Sequence, residues 1–199
     1  VRQSIDLPAV FVHVARKHYA AKPMVLAVDP GRKCGVAVLD TERGRCFSST
    51  SLLVDVTTCI ADLLDEAHAH SAFAPRVVHA FAREAPYSTS NAALAAGRAN
   101  AGALWSLGYA AGWVDAAATR WIRSAAKWDP QPVTWRSVIG LNSGERRRDA
   151  VNERVLAWAE ATTKKELRSK RGAKLYDEAN AVALAYATAS VFDAARRTE

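Results

Sequence analysis

Three carboxylates stand where a lone charge is expensive. Asp29 closes an apolar run at residues 25–28, Glu84 follows a second apolar run, and Asp177 opens a long Ala-rich stretch. An acid at the end of a buried strand needs neutralising, and a divalent cation held by several carboxylates is one way to do it. The other is local: such a residue caps a turn or a helix N-terminus, as Asp177 could. A second feature is the distribution of charge. The chain of 199 residues has a net charge of +7. Residues 136–174 alone hold eleven basic and five acidic side chains, so nearly all the excess lies in that block. A concentrated basic block suits a phosphate-binding surface and equally a solvated face or loop. The five histidines form no ligand pair with the acids, and His68 and His70, two apart on a helix, do not share a face. Cys34, Cys46 and Cys59 have no CxxC spacing and suit neither a disulfide framework nor a zinc site.

The elements that must position these residues follow from periodicity. Residues 4–19 predict an N-terminal helix or arm, although the run at 10–14 could equally form a strand. From Met24 an apolar strand enters the turn Asp29-Pro30-Gly31. Further strands at 35–39 and 46–53 complete an antiparallel meander. A helix is expected over 55–70, with Ile60, Leu63 and Leu64 on one face, and a fourth strand over 76–82. Ser90 caps a helix over 91–107. The glycines at 108–112 are expected to break or kink it, with resumption over 114–126 until Pro130 and Pro132. A short strand is expected near Val133, a helix from Ser143 to about Ala161, a basic loop over 164–174, and a last helix from Tyr176 to about Arg196. Trp105, Trp113, Trp121 and Trp128, spaced seven or eight apart, suit packing or an interface. Strands first, then a crossover helix, a strand and helices: the pattern is an α/β fold around a mixed sheet.

Composition bounds the class. Half the residues are hydrophobic, enough for a sizeable core and too many for a disordered chain. No apolar run approaches the ~20 residues of a membrane span. The start of the chain shows no secretory leader pattern, which points to the cytoplasm or an organelle matrix. The division expected is an arm over residues 1–22 and one domain over 23–199.

Four blocks in order resemble the RuvC family of Holliday-junction resolvases: VLAVDPGRKCGVAVLD, AREAPYSTSNAALAAGRANAG, VTWRSVIGL and YDEANAVALAYA. The resemblance covers about residues 24–189. It implies an RNase H-like fold with a five-stranded mixed sheet, a homodimer, and Mg²⁺- or Mn²⁺-dependent nicking of four-way DNA junctions. It also implies two cations per site, and no small-molecule cofactor or membrane partner. Two-metal phosphodiester hydrolysis needs a carboxylate cluster holding ions about 3.5–4 Å apart. The implied ligands are Asp29, Glu84, Asp177 and the residue three beyond Asp177, one helical turn on. There the family has an acid and this chain has Asn180. Either this branch uses Asn naturally or the position carries an inactivating Asp→Asn change. Glu178, adjacent but about 100° around the helix, is poorly placed to replace it.

The same blocks imply DNA contacts. Tyr87 corresponds to an aromatic that enters the junction's base stack, a contact worth about 1–3 kcal/mol per base. Arg136 and one of Arg147 and Arg148 correspond to basic residues near the scissile phosphate. Lys165, Lys170, Arg171 and Lys174 extend the phosphate surface. The Ala- and Gly-rich helix over 92–102 is the expected dimer seam. Two alternatives stay open: a catalytically silent junction-binding module, and a nuclease of the same fold acting on another nucleic acid.

Overall fold

The computed structural model describes residues 7–17, 23–69, 77–85, 101–141, 147–169 and 171–197. Its centre is a five-stranded sheet of order β3-β2-β1-β4-β5. The strands are β1 (Met24–Asp29), β2 (Lys33–Asp40), β3 (Arg45–Leu52), β4 (Ala80–Arg83) and β5 (Ala126–Trp128). β1, β2 and β3 form the antiparallel meander, while β4 runs parallel to β1 and β5 parallel to β4. Six helices flank the sheet among the described residues: α1 (Ala9–Lys17), α2 (Val56–Ala69), α3 (Ala101–Ala118), α4 (Pro132–Val138), α5 (Arg148–Thr163) and α6 (Tyr176–Arg197). This is an RNase H-like topology.

The continuous apolar character of β1 and β2 is explained by burial on both faces. Val25, Ala27, Ala37 and Leu39 face one core with α6, α5 and α1. Leu26, Val28, Val36 and Val38 face the other with α2 and α3. Helix α6 is buried along most of its length, and its alanines (Ala179, Ala181, Ala183, Ala185, Ala187) let it lie close on the sheet. Helix α1 packs into the first core, its Phe11 ring meeting Trp128 at 6.4 Å and Phe192 edge-on at 6.3 Å.

Four expectations are corrected. Helix α3 runs without a break through Gly108 and Gly112 and ends at Ala118. The stretch expected to continue it instead turns and forms β5, paired with β4 through Ala80, Phe81 and Ala82. The strand expected near Val133 is helix α4, with Pro132 in its first turn. Proline lacks an N–H that the first turn would not use, so it starts this helix rather than ending a segment. The fourth strand is shorter than 76–82 implied, beginning at Ala80. The expected cap Ser90 and the helix over 91–107 fall outside the described residues as far as residue 100, as does Ser143.

Candidate active site

Parallel pairing of β1 and β4 sets the first two carboxylates side by side. Val28 is in register with Arg83, and the Glu84 amide donates to the Val28 carbonyl at 3.1 Å, so Asp29 and Glu84 leave the same edge of the sheet. Across the hairpin Asp29 is in register with Gly35. The first turn of α6 rests on that glycine: a Cβ there would lie 1.8 Å from the Asp177 carbonyl oxygen. Only a residue without a side chain permits this approach. Asp177 is thereby brought to the end of β1 from across 148 residues of chain.

Side-chain bonds hold the group. Asn180 donates through Nδ2 to Asp29 Oδ2 at 2.9 Å, and Trp135 donates through Nε1 to Glu84 Oε2 at 2.9 Å. The Arg136 guanidinium stacks over the Trp135 ring at 4.9 Å. Two buried atoms in this group have no hydrogen-bond partner, Asn180 Oδ1 and Arg136 Nε.

The electrostatics follow from that crowding. The Asp29 carboxyl is raised well above the ordinary range, first by desolvation and then by the Glu84 charge. The Asn180 bond opposes this, the Asp177 charge adds to it, and Arg136 opposes it. Glu84 is raised by desolvation, against the Trp135 bond and the charges of Arg136 and Arg148. Asp177 is also raised by desolvation, against Lys33 and Arg148. The three acids therefore share one neighbourhood with three cationic side chains. All potential ligands are hard oxygens, the donor set of Mg²⁺ or Mn²⁺. As the side chains stand, no three His, Cys, Asp or Glu among the described residues are gathered into a ready metal-binding group. The partnerless Asn180 oxygen and the unrelieved carboxyls are what a single cation among them would satisfy.

The other sequence candidates are distributed as follows. Arg148 begins α5 and acts on both Glu84 and Asp177, whereas Arg147 precedes that helix and its carbonyl accepts from the Val151 amide at 3.1 Å. Lys165 is drawn to Glu178 Oε1 at 2.9 Å and to the Ser48 carbonyl at 3.1 Å. Ser48 Oγ donates to the same Glu178 oxygen at 2.7 Å, so Glu178 faces β3 rather than Asp29. Lys174 pairs with Glu153 at 2.5 Å. Arg171 lies on the exposed turn closed by Ser169 and Gly172. Tyr87 and Lys170 lie outside the described residues, as does the expected seam over 92–102 except for Ala101 and Gly102.

The chain matches no protein-family model and no curated protein.

Sequence reasoning missed three residues of this neighbourhood. Trp135 grips Glu84. Lys33 acts on Asp177. Arg83 ends β4 one residue before Glu84 and ties that edge to Asp115 and Asp129, both at 3.0 Å. Its type and place were a usable signal, because an arginine closing an apolar strand needs acidic partners.

Proposed function

We propose that the chain is a metal-dependent, structure-selective endonuclease that resolves four-way DNA junctions by paired symmetric nicks. The observation that carries this reading is the meeting of Asp29, Glu84 and Asp177 at one sheet edge, with their charges not internally relieved. Arg136 and Arg148, from the basic block over residues 136–174, act on these acids and support a polyanionic substrate over a neutral one. Asp29, Glu84, Asp177 and Asn180 would hold a divalent cation, which would supply an activated water and positive charge beside the phosphate. The chain's own residues do the remainder. Trp135 fixes the Glu84 carboxylate, Asn180 orients Asp29, and the Arg136 and Arg148 guanidinium groups balance charge that develops on the phosphate in the transition state.

For the homodimer, support comes from the outward face of α3. Trp105, Tyr109 and Trp113 recur every four residues there and are 78%, 56% and 41% exposed. A Cβ added at Gly108 or Gly112 on the same helix would meet nothing within 4 Å beyond the helix itself. Exposed aromatics clustered on one helix face are a feature of interaction surfaces. Two copies would supply two sites for two strands.

The test is incubation of a four-way junction and a duplex of the same sequence with the protein in Mg²⁺ and in Mn²⁺. Symmetric nicks confined to the junction are expected. Equal cleavage of both substrates removes the structure-selective reading. The unready metal group and the engaged Asn180 amide favour one rival, a silent junction-binding module. That reading is supported if the junction is bound tightly and neither metal yields nicks.

A further inference from the structure

We infer that this site is built for one divalent cation rather than two, with Asn180 as the residue that sets the count and Arg136 and Arg148 furnishing the other positive charge. The inference rests on the nuclease reading and narrows it.

Donor supply is the first argument. Two ions about 3.5–4 Å apart require a bridging carboxylate and further charged ligands on each side. Here Asp29 Oδ2 already accepts from Asn180, and Glu84 Oε2 already accepts from Trp135. The bond to Asp29 also decides which way the Asn180 amide points, since only its nitrogen can donate to a carboxylate. Its oxygen is left buried and partnerless, a single neutral ligand. The remaining acid of that helical turn, Glu178, is held by Lys165 and Ser48 on the far side. To serve as a ligand its buried carboxylate would have to abandon the ion pair with the half-exposed Lys165.

Charge balance is the second argument. Three carboxylates are already accompanied by Arg136, Arg148 and Lys33. The N-terminal end of α6, which begins at Tyr176, adds the partial positive charge of the helix dipole beside Asp177. One divalent ion fits this balance together with the negative phosphate of a substrate. Two would bring four further positive charges to a half-buried site where the described residues bring together no fourth carboxylate.

The experiment counts ions directly. Metal-depleted protein is titrated with Mn²⁺, and bound ions are counted by electron paramagnetic resonance. The chains compared are the wild type, Asn180→Asp, Asp29→Ala and Asp177→Asn, the last a milder change should Asp29→Ala fail to fold by circular dichroism. One ion per chain is expected in the wild type, none in the Asp29 or Asp177 variants, and two in Asn180→Asp. Two ions in the wild type, both lost with Asp29 or Asp177, overturn the inference and leave the nuclease reading standing. One ion in both the wild type and Asn180→Asp overturns the role given to Asn180. No ion in the wild type, or one indifferent to both Asp29 and Asp177, overturns the inference and the metal-dependent reading together.

Discussion

Two acid clusters lie one residue apart on the first turn of α6, and they are built in opposite ways. Glu178 is the more deeply buried, at 3% exposure, yet it is satisfied: Lys165 and Ser48 both donate to its Oε1. Asp177 is less buried and lies with Asp29 and Glu84, where each carboxyl is raised by desolvation that its neighbours do not offset. A fold can evidently supply a cation for a buried acid here, and it does so on the β3 side. On the Asp29 side Arg136, Arg148 and Lys33 act on the acids without offsetting their desolvation, and the demand stays open. That contrast separates an acid that holds the structure from acids whose burial is not offset, a pattern common at functional sites, and on the proposed reading the latter take a cation.

Substitutions on each side sharpen the contrast. The largest effect is expected from Asp177→Asn, which should reduce junction nicking on the order of a thousandfold while leaving the thermal midpoint unchanged or slightly raised. Removing a transition-state ligand acts on rate rather than on fold. Next is Gly35→Ala, on which the first turn of α6 rests. A methyl 1.8 Å from the Asp177 carbonyl must push the helix away, at about 1–3 kcal/mol or more, read by urea denaturation, with loss of nicking as well. Lys165→Met should come third, costing about 1–3 kcal/mol because Glu178 keeps only Ser48. Its nicking rate at a temperature where it is folded should stay within a few-fold of wild type. A large rate loss there would erase the distinction between the clusters. Smallest is Arg171→Ala on the exposed turn, which should lower the slope of log affinity against log salt by about 0.9 if it meets one phosphate. It should leave the maximal nicking rate alone.

The parts of the molecule that sequence made legible share a physical reason. The strands at Met24–Asp29 and Lys33–Asp40 are buried on both faces, so their apolar runs are unbroken and their ends are marked by Asp29-Pro30-Gly31. The last helix carries the alanines that close packing demands. What stayed hidden depends on pairing across the fold. Ala126–Trp128 is too short to show alternation and is a strand because β4 offers it an edge. Pro132 looks like a stop in the sequence and is a helix start in the structure. The glycines of α3 suggested a kink, but the helix continues because its buried face, through Ala110, Val114 and Ala118, holds it on the second core. At the site, the carboxylates were legible as strand and helix ends. The Trp135 bond to Glu84 spans 51 residues and the Lys165 bond to the Ser48 carbonyl 117, distances over which no local pattern speaks.

The central claim is that the Asp29 cluster is unrelieved because a cation belongs there, and thermal unfolding tests it most directly. A carboxyl with a raised folded-state pKa binds its proton more tightly in the native state than in the unfolded one. It therefore lowers stability as pH climbs from the ordinary carboxylate range through the raised value. Without metal, Asp29→Asn should thus match the wild type in acid and melt higher near neutral pH, by about 2–4 °C for each kcal/mol relieved in a chain of this size. Saturating Mn²⁺ at pH 7 should then reverse the order. A ligand at a hundred times its dissociation constant stabilises the native state by about 2.7 kcal/mol, and only the wild type retains the full site. If Mn²⁺ shifts both proteins equally, or neither, the cluster is not a cation site.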